Sequence, residues 1–160
     1  MRVLAVLTAL AVAAAAWFGW SWVSAANDDA LEVSRERDAV LAAVSDGLVT
    51  LHTIDHRTAE RDVGRWLDVT TGKLGDDLER DRQLQLDRAA GTRTVASATL
   101  LQAAVTELDL QAGSARLVAV LEVRLGTQGQ PAAPQRSRLT VRAERTEQGW
   151  KVSDVQAAGR

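Results

Sequence analysis

The chain has 160 residues, with 21 acidic and 19 basic side chains giving a net charge of -2, and it contains no cysteine. Basic and acidic residues are interleaved, so there is no cationic stripe of the kind that grips nucleic acid. The absence of cysteine excludes disulfides, thiolate catalysis and cysteine-ligated metal centres.

The N-terminus carries the strongest single signal. Residues 3–25, VLAVLTALAVAAAAWFGWSWVSA, hold no charge over 23 positions, long enough for a helix to cross the roughly 30 Å hydrocarbon layer. A secretory signal peptide would use residues 3–16 as its apolar segment and Val23-Ser24-Ala25 as its cleavage site. An uncleaved anchor would use the whole run, and Trp17, Phe18, Trp20 and Trp22 near its end favour this reading, because indole rings settle at the membrane interface. Arg2 precedes the run while Asp28 and Asp29 follow it, which puts the C-terminal portion outside the cytoplasm. The expected organisation is an anchor over residues 1–26 and one extracytoplasmic domain over residues 27–160. About 134 residues suffice for one real core.

Beyond Asp28 the apolar period is helical. Val33, Val40, Val44, Leu48 and Leu51 fall within about 80° at 100° per residue, so the spacing predicts a long amphipathic helix. Gly47 inside it is a place for close packing or a bend. A second helix is expected over residues 59–69, with Thr58 or Asp55 as N-cap, Glu60 and Asp62 in its first turn, and Thr70 to Gly72 closing it. A third, highly charged helix is expected over residues 73–90, where Asp76 and Arg80 form an i,i+4 pair.

After Gly91 the period changes to two. Residues 94–111 read as one long bent or bulged strand, with a tight turn at 111–114. Leu117, Ala119, Leu121, Val123 and Leu125 share one face of the next strand, opposite Glu122 and Arg124. Leu139, Val141 and Ala143 then alternate with Arg138, Thr140, Arg142 and Glu144. Pro131 and Pro134 are expected in the loop between these two strands, and the sequence closes on a turn and a short strand ending in GWKVSDV. Helices followed by an antiparallel meander make an α+β layout, with helices packed on one face of a curved sheet of about four strands.

His52 and His56 stand four residues apart with Asp55 between them. On one helix the two imidazoles would share a face, as metal ligands do, and the pattern is reminiscent of the inverted zinc-protease motif. That motif needs glutamate where Asp55 stands, and there is no third histidine. Asp55 suits a helix cap, so the favoured reading is structural, with metal binding and acid/base catalysis as alternatives. No cofactor is expected. Trp66 and Trp150 read as core or sheet-edge anchors. Arg136, Arg138 and Arg142 line one strand face that would meet an acidic partner, lipid head groups or solvent.

The order of an N-terminal span, a helix ending in TLHTIDHRT, a short helix leading to TTGKL, a charged helix and a meander ending in GWKVSDV resembles the Mce-associated membrane proteins of actinobacteria. Thr53-Ile54-Asp55-His56 matches that family's Thr-x-Asp-Tyr, with His56 in place of the aromatic ring. Thr71-Gly72 matches its Thr-Gly, and Gly149-Trp150-Lys151-Val152 matches its Gly-x-Trp-x-Val ending in part, lacking the residue between Gly and Trp. A composition in which only Lys73 and Lys151 are lysines and Ile54 is the sole isoleucine suits a GC-rich actinobacterial genome. The resemblance implies an NTF2-like extracytoplasmic domain without catalytic residues. It further implies a single-pass accessory protein of the cell envelope whose partners are Mce-complex or other envelope membrane proteins in lipid import. The competing expectation is an NTF2-like cone that binds or transforms a small apolar ligand.

Overall fold

The computed structural model describes residues 17, 30–127 and 132–158, which fall in two compact units, 1–36 and 37–160. In the first unit residues 17 and 30–36 are helical, and Trp17, Leu31 and Val33 are exposed. The uncharged run expected to span the membrane lies, apart from Trp17, outside the described residues. Among the described residues no helix is long and apolar enough to cross a membrane.

The second unit begins with helix α1, residues 37–51. It continues with β1 (Ile54–Asp55), α2 (Ala59–Asp68), α3 (Gly72–Arg80), α4 (Arg82–Thr92), β2 (Val95–Asp109), β3 (Ser114–Gly126), β4 (Ala133–Thr146) and β5 (Gly149–Ala157). The strands form one antiparallel sheet in the order β1-β2-β3-β4-β5. Four long strands match the expected meander. The fifth, β1, is only two residues long and pairs Ile54 with Ala96 and Asp55 with Val95, too short to leave a period in the sequence.

Alternation sorts the strands as their residues dictate. Leu117, Ala119 and Leu121 of β3 and Leu139, Val141 and Ala143 of β4 are buried on the inner face, and the register lines Val105, Leu117, Val141 and Val155 in one row across four strands. Val40, Val44 and Leu48 of α1, one turn apart, join Leu117, Leu121, Val141 and Val152 in the main core. Full burial of side chains of this size contributes roughly 1.5–3 kcal/mol each. Val33, expected on the same stripe, is exposed and lies in the first unit. Gly47 is needed for close packing: a Cβ there would stand 3.2 Å from Val152 Cγ2.

Strand β2 is bulged twice, between Leu100 and Gln102 and between Val105 and Glu107, and β5 carries an extra residue, Ser153, opposite the Arg142–Ala143 step. Bulges bend strands and raise their twist, curving the sheet around α1. At the second β2 irregularity the Arg37 guanidinium donates to the Val105 carbonyl at 2.9 Å. A smaller core, made of Ile54, Ala59, Val63, Trp66 and Ala89, lies among β1, α2 and α4.

Two expectations need correction. The single charged helix over 73–90 is divided at Asp81, whose φ of -93° and ψ of 8° close α3 and open α4. The division lets α3 pack on β5 while α4 packs on α2. Pro134 lies in β4, paired with Arg124, rather than in a loop. Residues 133–137 pair with β3 only, since β5 joins β4 from Leu139 onward and Ala158 N reaches back no further than Arg138 O. Proline is tolerated there because that edge needs no N–H donor.

The inner face stops short of the end of β3, and this yields a prediction. Leu121 is fully buried while Leu125, on the same face, is 52% exposed. Leu121→Ala is expected to cost about 2–5 kcal/mol and Leu125→Ala within about 0.5 kcal/mol of nothing, measured by urea denaturation. Equal losses would contradict this placement of the core boundary.

Candidate functional site

The segment Leu51-His52-Thr53-Ile54-Asp55-His56 closes α1 and starts the sheet, and the side chains of His52 and Thr53 are engaged in that task. A helix leaves its last carbonyls without partners. His52 Nδ1 lies 2.8 Å from the Leu48 carbonyl, to which it donates when that nitrogen carries the proton, and Thr53 Oγ1 donates to Val49 O at 2.7 Å. From α2, the Trp66 indole N–H donates to Thr50 O at 2.8 Å and Thr53 O at 3.2 Å. Two hydroxyl or imidazole groups and one indole thus satisfy the end of α1.

The next link is made by Asp62, which the sequence marks only as a first-turn acid of α2. Its side chain is buried, and Oδ2 accepts from the Asp55 backbone N–H at 3.0 Å and from Thr58 Oγ1 at 2.7 Å. Burial by itself would raise the Asp62 carboxyl. The bonds from Thr58 and Asp55, with the charges of Arg61 and Arg65, outweigh burial and hold it below the ordinary carboxylate value. Thr58 occupies the N-cap position of α2 without a side-chain cap bond to the backbone. Asp55 does not cap the helix: its Oδ1 accepts from the Arg57 N–H at 2.9 Å, an Asx turn. A signal for Asp62 existed in the threonine one turn before it, but its other donor is brought by β1.

The histidines do not share a helix face. Helix α1 ends at residue 51 and β1 intervenes before His56, so the i,i+4 spacing loses the geometry that would pair the rings. His56 Nδ1 is enclosed, 3.4 Å from Asp55 Oδ1, an ion-pair distance without hydrogen-bond geometry. Among the described residues no group of three or more His, Asp or Glu side chains is placed to hold a metal ion. Trp66 is buried in the smaller core and Trp150 in the main one.

Arg136, Arg138 and Arg142 stand exposed on the outer face of β4. The register sets Arg136 opposite Glu122, Arg138 opposite Val120, and Arg142 between Arg116 and Asp154. Arg116 is itself paired with Glu107 at 2.7 Å, so Arg142 lies in a row Glu107–Arg116–Arg142–Asp154, two arginines flanked by an acid at each end. Arg136 and Arg138 sit where β4 has a free edge, which is blunted by Pro134 and closed at Arg138, whose carbonyl accepts from Ala158 N at 2.8 Å. The arrangement offers charge at a surface and no acid/base pair.

The chain belongs to the family described as "Uncharacterized protein Rv1363c/MT1408-like", whose profile matches residues 1–158. No curated protein matches it by sequence. Among solved structures it is similar to the periplasmic domain of DotI, at 14% identity and a TM-score of 0.63, covering 77% of this chain and 95% of that one. It is also similar to CagV, a VirB8 homolog of the type IV secretion system from Helicobacter pylori, at 12% identity and a TM-score of 0.58, covering 77% and 98%. VirB8 of Agrobacterium tumefaciens follows at 13% identity and a TM-score of 0.54, covering 78% and 92%. At these identities the likeness is one of fold: helices on a five-stranded antiparallel sheet.

The α1–β1–α2 junction yields two predictions. Asp62→Asn should lower stability by about 1–3 kcal/mol near neutral pH, since a charged acceptor of two bonds is replaced. Because the folded carboxyl titrates below its ordinary value, its stabilisation is full above that value and is lost as pH falls through the folded one. The gap between wild type and variant in thermal melts should therefore be constant from pH 7 to 5 and close below about pH 4; a pH-independent gap would remove the charge from the account. Trp66→Phe keeps an aromatic ring but loses the larger indole and its N–H donor to Thr50 O and Thr53 O, and a loss of at least about 1–3 kcal/mol is expected in the same assay.

Proposed function

We propose that this protein is a single-pass membrane protein, anchored by residues 1–26, whose extracytoplasmic domain over residues 27–160 works without catalysis. It stabilises or assembles an envelope complex through protein contacts, and the complex is an Mce-type lipid-transport system. The observation that carries this reading is the filled inner face of the sheet. Val40, Val44 and Leu48 of α1 occupy, together with Leu117, Leu121, Val141 and Val152, the space that a ligand-binding NTF2-like cone would leave open. What the domain offers other molecules is its surface.

Other observations lend support. The uncharged run with its tryptophan belt suits an anchor. The fold is shared with a domain described as periplasmic and with a protein described as part of a type IV secretion system. The motifs Thr53-Ile54-Asp55-His56 and Thr71-Gly72 support the Mce assignment. For the partner face the reading takes Arg136, Arg138 and Arg142 on the outer side of β4, which suits an acidic surface. Rim charges of this kind steer encounter and fix register more than they add affinity.

The reading is tested in cells. Deletion is expected to lower the abundance or assembly of an Mce complex, and a domain released from its anchor should rescue poorly, since tethering raises effective concentration near membrane partners. The double variant Arg138→Glu/Arg142→Glu leaves Leu139 and Val141 in place, so it should melt as wild type does while weakening assembly. If deletion leaves every envelope complex intact and the domain turns over a small molecule, the accessory role is wrong.

A further inference from the structure

A groove of about 460 Å3 opens on the outer face of the sheet beside β1, where Val95 pairs with Gly126 and Ser97 with Arg124. Its lining residues include Arg57, Arg93 and Arg124 together with His56, Ser97 and Thr127, and no Asp or Glu is among them. In a chain whose acidic residues outnumber its basic ones by 21 to 19, three arginines lining one groove with no acidic residue in the lining is a local inversion of charge. Glu122 holds Arg124 from outside the lining, through one oxygen 3.3–3.4 Å from two of its nitrogens, which leaves further N–H donors of that guanidinium uncommitted. Among the described residues Arg57 and Arg93 have no ion-pair partner.

The three arginines come from three elements whose backbones are stapled together. Arg57 follows β1, whose Asp55 pairs with Val95. The His56 N–H donates to Thr94 O at 2.9 Å, tying that loop to the α4–β2 junction. Arg93 closes α4 with φ 48° and ψ 46°, the one left-handed non-glycine among the described residues. Glycine or asparagine would hold this cap with less strain, and strain of this kind gathers at functional sites. Arg124 is fixed by the β2–β3 ladder. A cluster held in this way loses little freedom when a ligand arrives.

We propose that this groove is a binding site for a phosphate group, carried on a lipid head or free in solution. The forked N–H groups of arginine match tetrahedral phosphate oxygens, and the hydroxyls of Ser97 and Thr127 supply neutral donors beside them. The lining includes none of Arg136, Arg138 and Arg142, although Arg136 is in register with Glu122, and the proposal does not rest on the accessory role proposed above.

The test uses the full chain in a neutral detergent, titrated calorimetrically with inorganic phosphate and, separately, with dihexanoyl phosphatidic acid, with dihexanoyl phosphatidylcholine as the zwitterionic reference. Saturable binding of at least one phosphate probe is expected, weakened tenfold or more by Arg57→Gln/Arg93→Asn/Arg124→Gln. Asparagine keeps the left-handed cap at position 93. The variant Lys73→Gln/Arg82→Gln/Lys151→Gln, which removes the same charge elsewhere, should change affinity less than twofold. Binding of phosphatidic acid alone assigns a lipid head, and binding of both probes with similar affinity assigns the bare phosphate group. Should the triple groove variant melt early, Arg57→Gln alone, an exposed side chain, is expected to weaken binding at least threefold with an unchanged melting temperature. Absence of saturable binding by either probe, an unaffected groove variant, or equal losses in both triple variants overturns the proposal.

Discussion

The contact between the Val40, Val44 and Leu48 stripe of α1 and the inner face of the sheet is the constraint on which the rest of this structure depends. Gly47 lets the helix come so near β5 that a methyl group would already crowd Val152 Cγ2, at 3.2 Å. A flat sheet cannot wrap a helix at that range, and the bulges at Leu100–Gln102, Val105–Glu107 and Ser153 provide the bend. The same contact fills the inner face of the sheet with the side chains of α1. Among the described residues Val40, Val44 and Leu48 pack against Leu117, Leu121, Val141 and Val152 where an NTF2-like cone would be open.

Holding α1 in place requires that its end be finished cleanly. The carbonyls of Leu48, Val49 and Thr50 are taken by His52, Thr53 and Trp66, and the chain then turns directly into β1. Asp62 reaches back from α2 to the first strand through the Asp55 N–H. The residues that look most like chemistry in the sequence, two histidines around an aspartate, are therefore part of a joint between the two cores. Arg136, Arg138 and Arg142 lie outside that joint, exposed on the outer face of β4.

Much of the fold was legible because burial on one face leaves a period. Leu117, Leu121, Leu139, Val141 and Ala143 alternate with charged residues, and the strands follow; the glycine at 47 sits inside a helical stripe and marks a close approach. The division at Asp81 left no trace, since Asp, Arg and Gln are all compatible with a continuing helix. Pro134 looked like loop because edge strands and loops tolerate proline alike. At the site, the i,i+4 spacing of the histidines presupposed a helix that their neighbours in fact terminate. Arg57, Arg93 and Arg124 are spread over the chain, and only the β1–β2–β3 ladder brings them to one groove. Position along the chain carries no hint of that meeting.

The central claim is that the outer face, and not an internal chamber, meets other molecules. Lys73 and Lys151 are the only lysines of the chain, and Lys151 lies in β5 in register with Glu144 of β4, on the face opposite buried Trp150 and Val152. Amine-specific cross-linking of the full chain in its native membranes, read by mass spectrometry at the peptide level, therefore reports that face through Lys151 and separates it from α3, where Lys73 is exposed. The account predicts reproducible cross-links from Lys151 to one envelope membrane protein. Recovery of the chain without protein cross-links, carrying a stoichiometric apolar molecule released only on unfolding, would contradict it.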